Sequence, residues 1–85
     1  MVTKNFIITE KGKKNGYTID GIIREVYHIA CATEYDIYGQ SSLYANSYCK
    51  GNCLLGVSIS ADKESEIDSF VKWRIEQGYM EKVQS

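Results

Sequence analysis

Proline is absent from the sequence, histidine occurs once, and no apolar run approaches the length of a membrane span. Without proline there is no Pro-rich linker, and punctuation falls to Gly12, Gly16, Gly39, Gly51, Gly56 and Gly78. A bilayer-crossing helix takes about 18 or more apolar residues. The longest uncharged stretch here, from Ile37 to Cys49, is mostly Ser, Tyr, Gly, Asn and Gln. The opening MVTKNFIITEKGKK lacks the basic-then-apolar order of a secretion signal, so a soluble, cytoplasmic protein is expected. One histidine, with carboxylates gathered mainly on one exposed helix face, offers no acid–base pair. Ser41, Ser42 and Ser58 have no neighbours that would activate a nucleophile, so the sequence reads as non-enzymatic. No repeat with a period of about 20–50 residues is visible.

What is present describes one folded domain spanning residues 1–85. Hydrophobic residues make up 44% and charged residues 25%, which excludes the composition of a disordered chain. A chain of this size buries roughly 60–65% of its unfolded surface, enough for a modest core. The net charge is −1. The first thirty residues lean basic and the last twenty-four lean acidic by only two charges each, too little to steer a nucleic acid.

KNFIITE, residues 4–10, has a β-branched apolar centre and reads as a buried strand; KGKKNG, residues 11–16, reads as a solvated loop. Residues 18–34 place Ile19, Ile22, Ile23, Val26, Ile29, Ala30 and Thr33 on one helical face, with Asp20, Arg24, Glu25 and His28 opposite. Their β-branched content favours a strand, but the 3.6-residue period favours a helix. Residues 34–49 read as one broken strand or two short ones, CLLGVSISA (53–61) as an interior strand, and Gly51-Asn52 as a hairpin turn between them. Residues 61–79 form the surest helix, with Ile67, Phe70, Val71, Arg74, Ile75 and Gly78 at i, i+3, i+4 spacing and acidic residues early, as the helix dipole favours. Gly78 suits a left-handed cap with Tyr79 folding back, and residues 79–83 suit a short edge strand. The order β-α-β-β-α-β favours an α+β ferredoxin-like sandwich. If residues 18–34 were extended, the alternative is a curled antiparallel sheet carrying one C-terminal helix.

Three cysteines and one histidine are the inventory of a Cys3His zinc site: His28, Cys31, Cys49 and Cys53. His28 and Cys31 would share a helix face. Against zinc, Cys31 lies between alanines and suits a small buried hydrophobe, and His28 suits a solvated imidazole. Cys49 and Cys53 become neighbours through the hairpin alone, and a three-residue KGN loop would set them opposite for a disulfide. CxxxC ahead of a strand is not the CxxC that activates a thiol at a helix start.

Tyrosine is the unusual excess, at seven residues. Tyr35, Tyr38, Tyr44 and Tyr48 cluster among Ser41, Ser42, Asn46 and Ser47, a mixture suited to recognition because tyrosine gives rigid contact area at small entropic cost. The plainer reading is that alternate tyrosines cover the sheet with hydroxyls at its rim. Trp73 falls beside the apolar stripe of the last helix, as a core edge or a partner face. Lys11, Lys13 and Lys14 precede a helix and have the composition of an anion cradle, without a GxxxxGK[ST] or GxGxxG pattern. The leading expectation is a small binding module, accessory or inhibitory and of the kind mobile elements carry. It would use the Tyr/Ser region and Trp73 to hold a protein partner or a second copy of itself. A zinc-stabilised regulatory domain is the alternative, and an anion or small-ligand sensor is a weaker one.

Overall fold

The structure, a computed structural model, describes residues 1–34 and 42–83. Four strands, β1 (Val2–Ile8), β2 (Tyr44–Lys50), β3 (Cys53–Ala61) and β4 (Met80–Lys82), form one sheet in the order β2-β3-β1-β4. Every neighbouring pair is antiparallel. Three helices complete an α+β fold: α1 (Glu10–Lys14), α2 (Ile19–Glu34) and α3 (Glu64–Glu76). None is long and apolar enough to cross a membrane.

Alternation along the strands sends Phe6, Ile8, Val57, Ile59, Ala61 and Met80 to one face, where they meet Ile22 and Val26 of α2 and Ile67, Phe70 and Val71 of α3. α2 lies over β2 and β3, and α3 over β3 and β4. Each fully buried large side chain contributes about 1.5–3 kcal/mol. No described element covers the other face.

The helical period of residues 18–34 prevails over their β-branched content because Ile22 and Val26 plug the sheet, which excludes the single-helix alternative. Ile29, expected on the buried stripe, is exposed. α3 is shorter than residues 61–79, because Ala61 still pairs with Val2 in the sheet. Its end is closed as expected. Gly78 takes φ +78°, its N–H donates to the Ile75 carbonyl at 2.9 Å, and the Tyr79 N–H donates to the Arg74 carbonyl at 2.9 Å.

The expected loop at residues 11–16 is instead opened by α1. Thr9 caps it, its hydroxyl oxygen accepting from the Gly12 N–H at 3.0 Å. Gly12 presses against the chain ahead of β4, where a Cβ would stand 2.3 Å from the Tyr79 carbonyl oxygen. A tertiary contact therefore places this turn of helix, against its own weak local propensity.

Candidate functional site

The uncovered sheet face is built from the alternate residues of each strand. On β2 these are Tyr44, Asn46 and Tyr48, opposite Ser60, Ser58 and Gly56 of β3. On β1 they are Thr3 and Asn5, opposite the same Ser60 and Ser58. Two polar rows therefore cross three strands: Tyr44–Ser60–Thr3 and Asn46–Ser58–Asn5. Ser60 and Thr3 share a hydroxyl–hydroxyl bond of 2.8 Å, and the Ser58 hydroxyl donates to Asn5 Oδ1. These bonds fix the short side chains and leave the tyrosines as the tall groups. Tyr44 is 60% exposed and Tyr48 half-buried.

Gly56 makes this face continuous. A Cβ there would stand 1.9 Å from the Phe6 carbonyl oxygen, so only glycine lets β3 close on β1 at that point.

Sequence reasoning placed Tyr44 and Tyr48 in a recognition cluster, and both lie on this face. Tyr35 and Tyr38 lie outside the described residues. Thr3, Asn5, Ser58 and Ser60 are not marked by the tyrosine cluster; for Ser58 and Ser60 the signal is the polar position every second residue in the second half of β3, whereas the consecutive Thr3, Lys4 and Asn5 of β1 carry no such alternation. Ser42 leaves the cluster for the α3 N-terminus. Its hydroxyl donates to Glu66 Oε2 at 2.5 Å, its N–H donates to Glu66 Oε1 at 3.2 Å, and its oxygen accepts from the Asp62 N–H at 2.8 Å. These Ser42 bonds hold the Glu66 carboxyl below its ordinary pKa.

Trp73 is on the helix side, away from the tyrosine face. It is 51% exposed and stands edge-on to Tyr79 at 5.8 Å, while Tyr79 stacks on Tyr17 at 4.9 Å. The three rings join the α1–α2 turn, α3 and the approach to β4. Lys11 lies 5.7 Å from the Tyr79 ring centre and Lys13 bonds Glu10, while Lys14 is exposed. The lysines thus sit on α1, not in a loop that would wrap an anion. Arg74, counted with the apolar stripe, covers the Phe70 ring at 4.1 Å and pairs with Glu25.

His28 is exposed on α2, its ring 6.1 Å from that of Tyr27. Cys31 belongs to the same helix, and its side chain lies outside the described residues. Cys49 and Cys53 are exposed free thiols. The hairpin closes at Lys50↔Cys53, so the turn is Gly51-Asn52, with Gly51 at φ +63°. Only Gly51 takes a left-handed φ there. Cys53 therefore shares a face with Lys50, and Cys49 points to the other side. The three-residue loop that would have opposed the two thiols does not form. Among the described residues no three His, Cys, Asp or Glu side chains converge.

No protein-family model, curated protein or solved structure matches the chain, so the geometry of the uncovered face carries the functional reading alone.

Proposed function

We propose that this protein is a small non-enzymatic binding module that holds a protein partner on its uncovered sheet face, with Tyr44 and Tyr48 as the anchors. The observation that carries the reading is the placement of an exposed Tyr44 and a half-buried Tyr48 on one face with short polar side chains bonded to one another. Tyrosine gives rigid contact area at small entropic cost, and hydroxyl and amide neighbours supply adaptable hydrogen bonds. The scaffold reads as a ferredoxin-like sandwich with α1 as an addition. The order β2-β3-β1-β4, antiparallel throughout, with α2 and α3 on one face, supports that reading.

The test compares capture by three tagged chains from an extract of the source cell: wild type, Tyr44→Ser/Tyr48→Ser, and an Ile75→Ser control on α3. The reading expects a partner held by wild type and control and lost by the double variant, with circular dichroism unchanged. Equal recovery by all three would discard it.

A further inference from the structure

We propose that β2 pairs edge to edge with the β2 of a second copy, antiparallel about a two-fold axis at Ser47, so that two four-stranded sheets become one. The proposal builds on the binding-module reading by naming a partner, and it uses the edge of the sheet where that reading uses the face.

The direction of the backbone groups fixes which ones face outward. The Asn5 carbonyl accepts from the Val83 N–H at 2.8 Å, so Asn5 turns toward β4 and Phe6 and Lys4 turn toward β3. Their partners Val57 and Ile59 turn toward β1, which leaves Gly56, Ser58 and Ser60 turned toward β2. Tyr44, Asn46 and Tyr48 answer them, and Ala45 and Ser47 point away from the sheet. An independent observation agrees: the Ser47 N–H donates to Asn46 Oδ1 at 2.8 Å. The register steps from Tyr48↔Gly56 to Cys49↔Leu54, so the extra residue of the bulge is Leu55 on β3. β2 keeps its own alternation, and Cys49 points outward with Ala45 and Ser47.

A second copy matches this edge when the axis passes through Ser47, the midpoint of the strand. Ser47 then exchanges both backbone bonds with its counterpart, and Ala45 does the same with Cys49 of the other copy. On the uncovered face Lys50 meets the Tyr44 ring and Asn46 meets Tyr48. Lys50 is the only charged residue of β2 and lies at one end. Antiparallel pairing therefore keeps the two lysines apart, whereas parallel pairing would set them side by side. On the helix side only small residues meet: Ala45, Ser47 and Cys49. A two-fold normal to the sheet keeps α2 of both copies on the same side. There an apolar cavity of about 120 Å³ opens beside the edge, lined by Ile23, Val26, Tyr27, Ala30, Leu43 and Ala45 among others, with Tyr27 65% exposed. The joined sheet would set the Tyr44–Tyr48 faces of both copies side by side.

The closing experiment has two arms. Light scattering and sedimentation on the whole chain are expected to give a dimer that Ser47→Pro converts to monomer, weakening association about tenfold or more. Proline is compatible with the fold there, because the Ser47 N–H takes no part in the β2–β3 ladder. In a Cys49→Ser/Cys53→Ser background, Ser47→Cys is expected to form a disulfide-linked dimer on mild oxidation, because hydrogen-bonded pairs bring Cα atoms to about 5.5 Å. Asn46→Cys, offset along the strand from its own counterpart, is expected to link far less. The cysteine arm remains decisive if the proline variant does not fold. A chain that stays monomeric up to about millimolar concentration, a dimer indifferent to Ser47→Pro, or a link favoured at Asn46→Cys overturns the proposal. None of these results touches partner capture by the Tyr44/Tyr48 face, so the two readings fail separately.

Discussion

β2 and β4 both end the sheet, but their edges differ. β4 has three residues, two of them Glu81 and Lys82. It is short and charged, and those are two of the devices that keep a sheet edge from recruiting another strand. β2 has seven residues, with a charge only at Lys50, beside the turn. Among the described residues, what meets this edge is an exposed bond from the Ser47 N–H to the Asn46 side chain, which an incoming carbonyl can replace. The contrast teaches that one sheet can close one side and leave the other competent for pairing, and that edge length and charge placement carry the difference.

The sheet that joins the two edges is most vulnerable where β3 closes on β1. Gly56→Ala would drive a methyl into the Phe6 carbonyl, 1.9 Å from the Cβ position. With backbone on both sides there is no side chain to swing aside. The expected loss is about 3 kcal/mol or more, read as the urea midpoint. Gly12→Ala tests the β4 side alone. Its Cβ would meet the Tyr79 carbonyl oxygen at 2.3 Å, and α1 can move where β1 cannot. The expectation is a loss of about 1–3 kcal/mol with amide protection falling at β4 and held at β2. Equal loss of protection at both edges would show that they do not behave as separate units.

These two glycines also mark how far the sequence could be read. β3 is legible to the residue, because CLLGVSISA is an apolar run that alternates over VSISA and is bounded by a turn and a charged linker. α2 is legible because its period outweighs its β-branched content, and the α3 cap because Gly78 follows the last apolar turn. α1 is not: five residues with an internal glycine have no helical signal of their own, and the Tyr79 carbonyl that Gly12 fits is distant in sequence. The tyrosine face is half legible. Tyr44 and Tyr48, four apart, must share a side of a strand, but their polar partners depend on a register set by long-range pairing. The CKGNC motif allows a three-residue or a two-residue turn. The bulge at Leu55, which accompanies the tighter one, has no local signature.

Ser47→Lys alters the β2 edge without touching the core. It gives β2 the kind of charge that β4 carries and sets two like charges opposite each other at the proposed axis. Ser47 is exposed, so monomer stability should stay within about 0.5 kcal/mol of wild type. Self-association should weaken about tenfold at low salt and recover partly at high salt, because exposed charges are screened. Weakening of the same size at every ionic strength would assign the effect to side-chain bulk instead of charge.

The smallest effect concerns what leads into β2. Ser42 ties the approach to β2 to α3 through Glu66, whose carboxyl is held below its usual value near 4.5, chiefly by the Ser42 hydroxyl and then by the Ser42 N–H. A carboxylate with a lowered folded pKa contributes stability that is fully present above the unfolded value. That contribution is lost as pH falls through the folded value. Ser42→Ala should therefore lower the melting temperature slightly at neutral pH, and the gap from wild type should shrink as pH falls below the ordinary value of 4.5 and through the lowered folded value. Lys82→Ala, on the opposite edge, is the control and should show no such convergence. A Ser42→Ala deficit that stays constant down to acid would mean that the hydroxyl acts mainly on the Asp62 N–H, and that the β2 approach is held by the backbone bond rather than by the carboxylate.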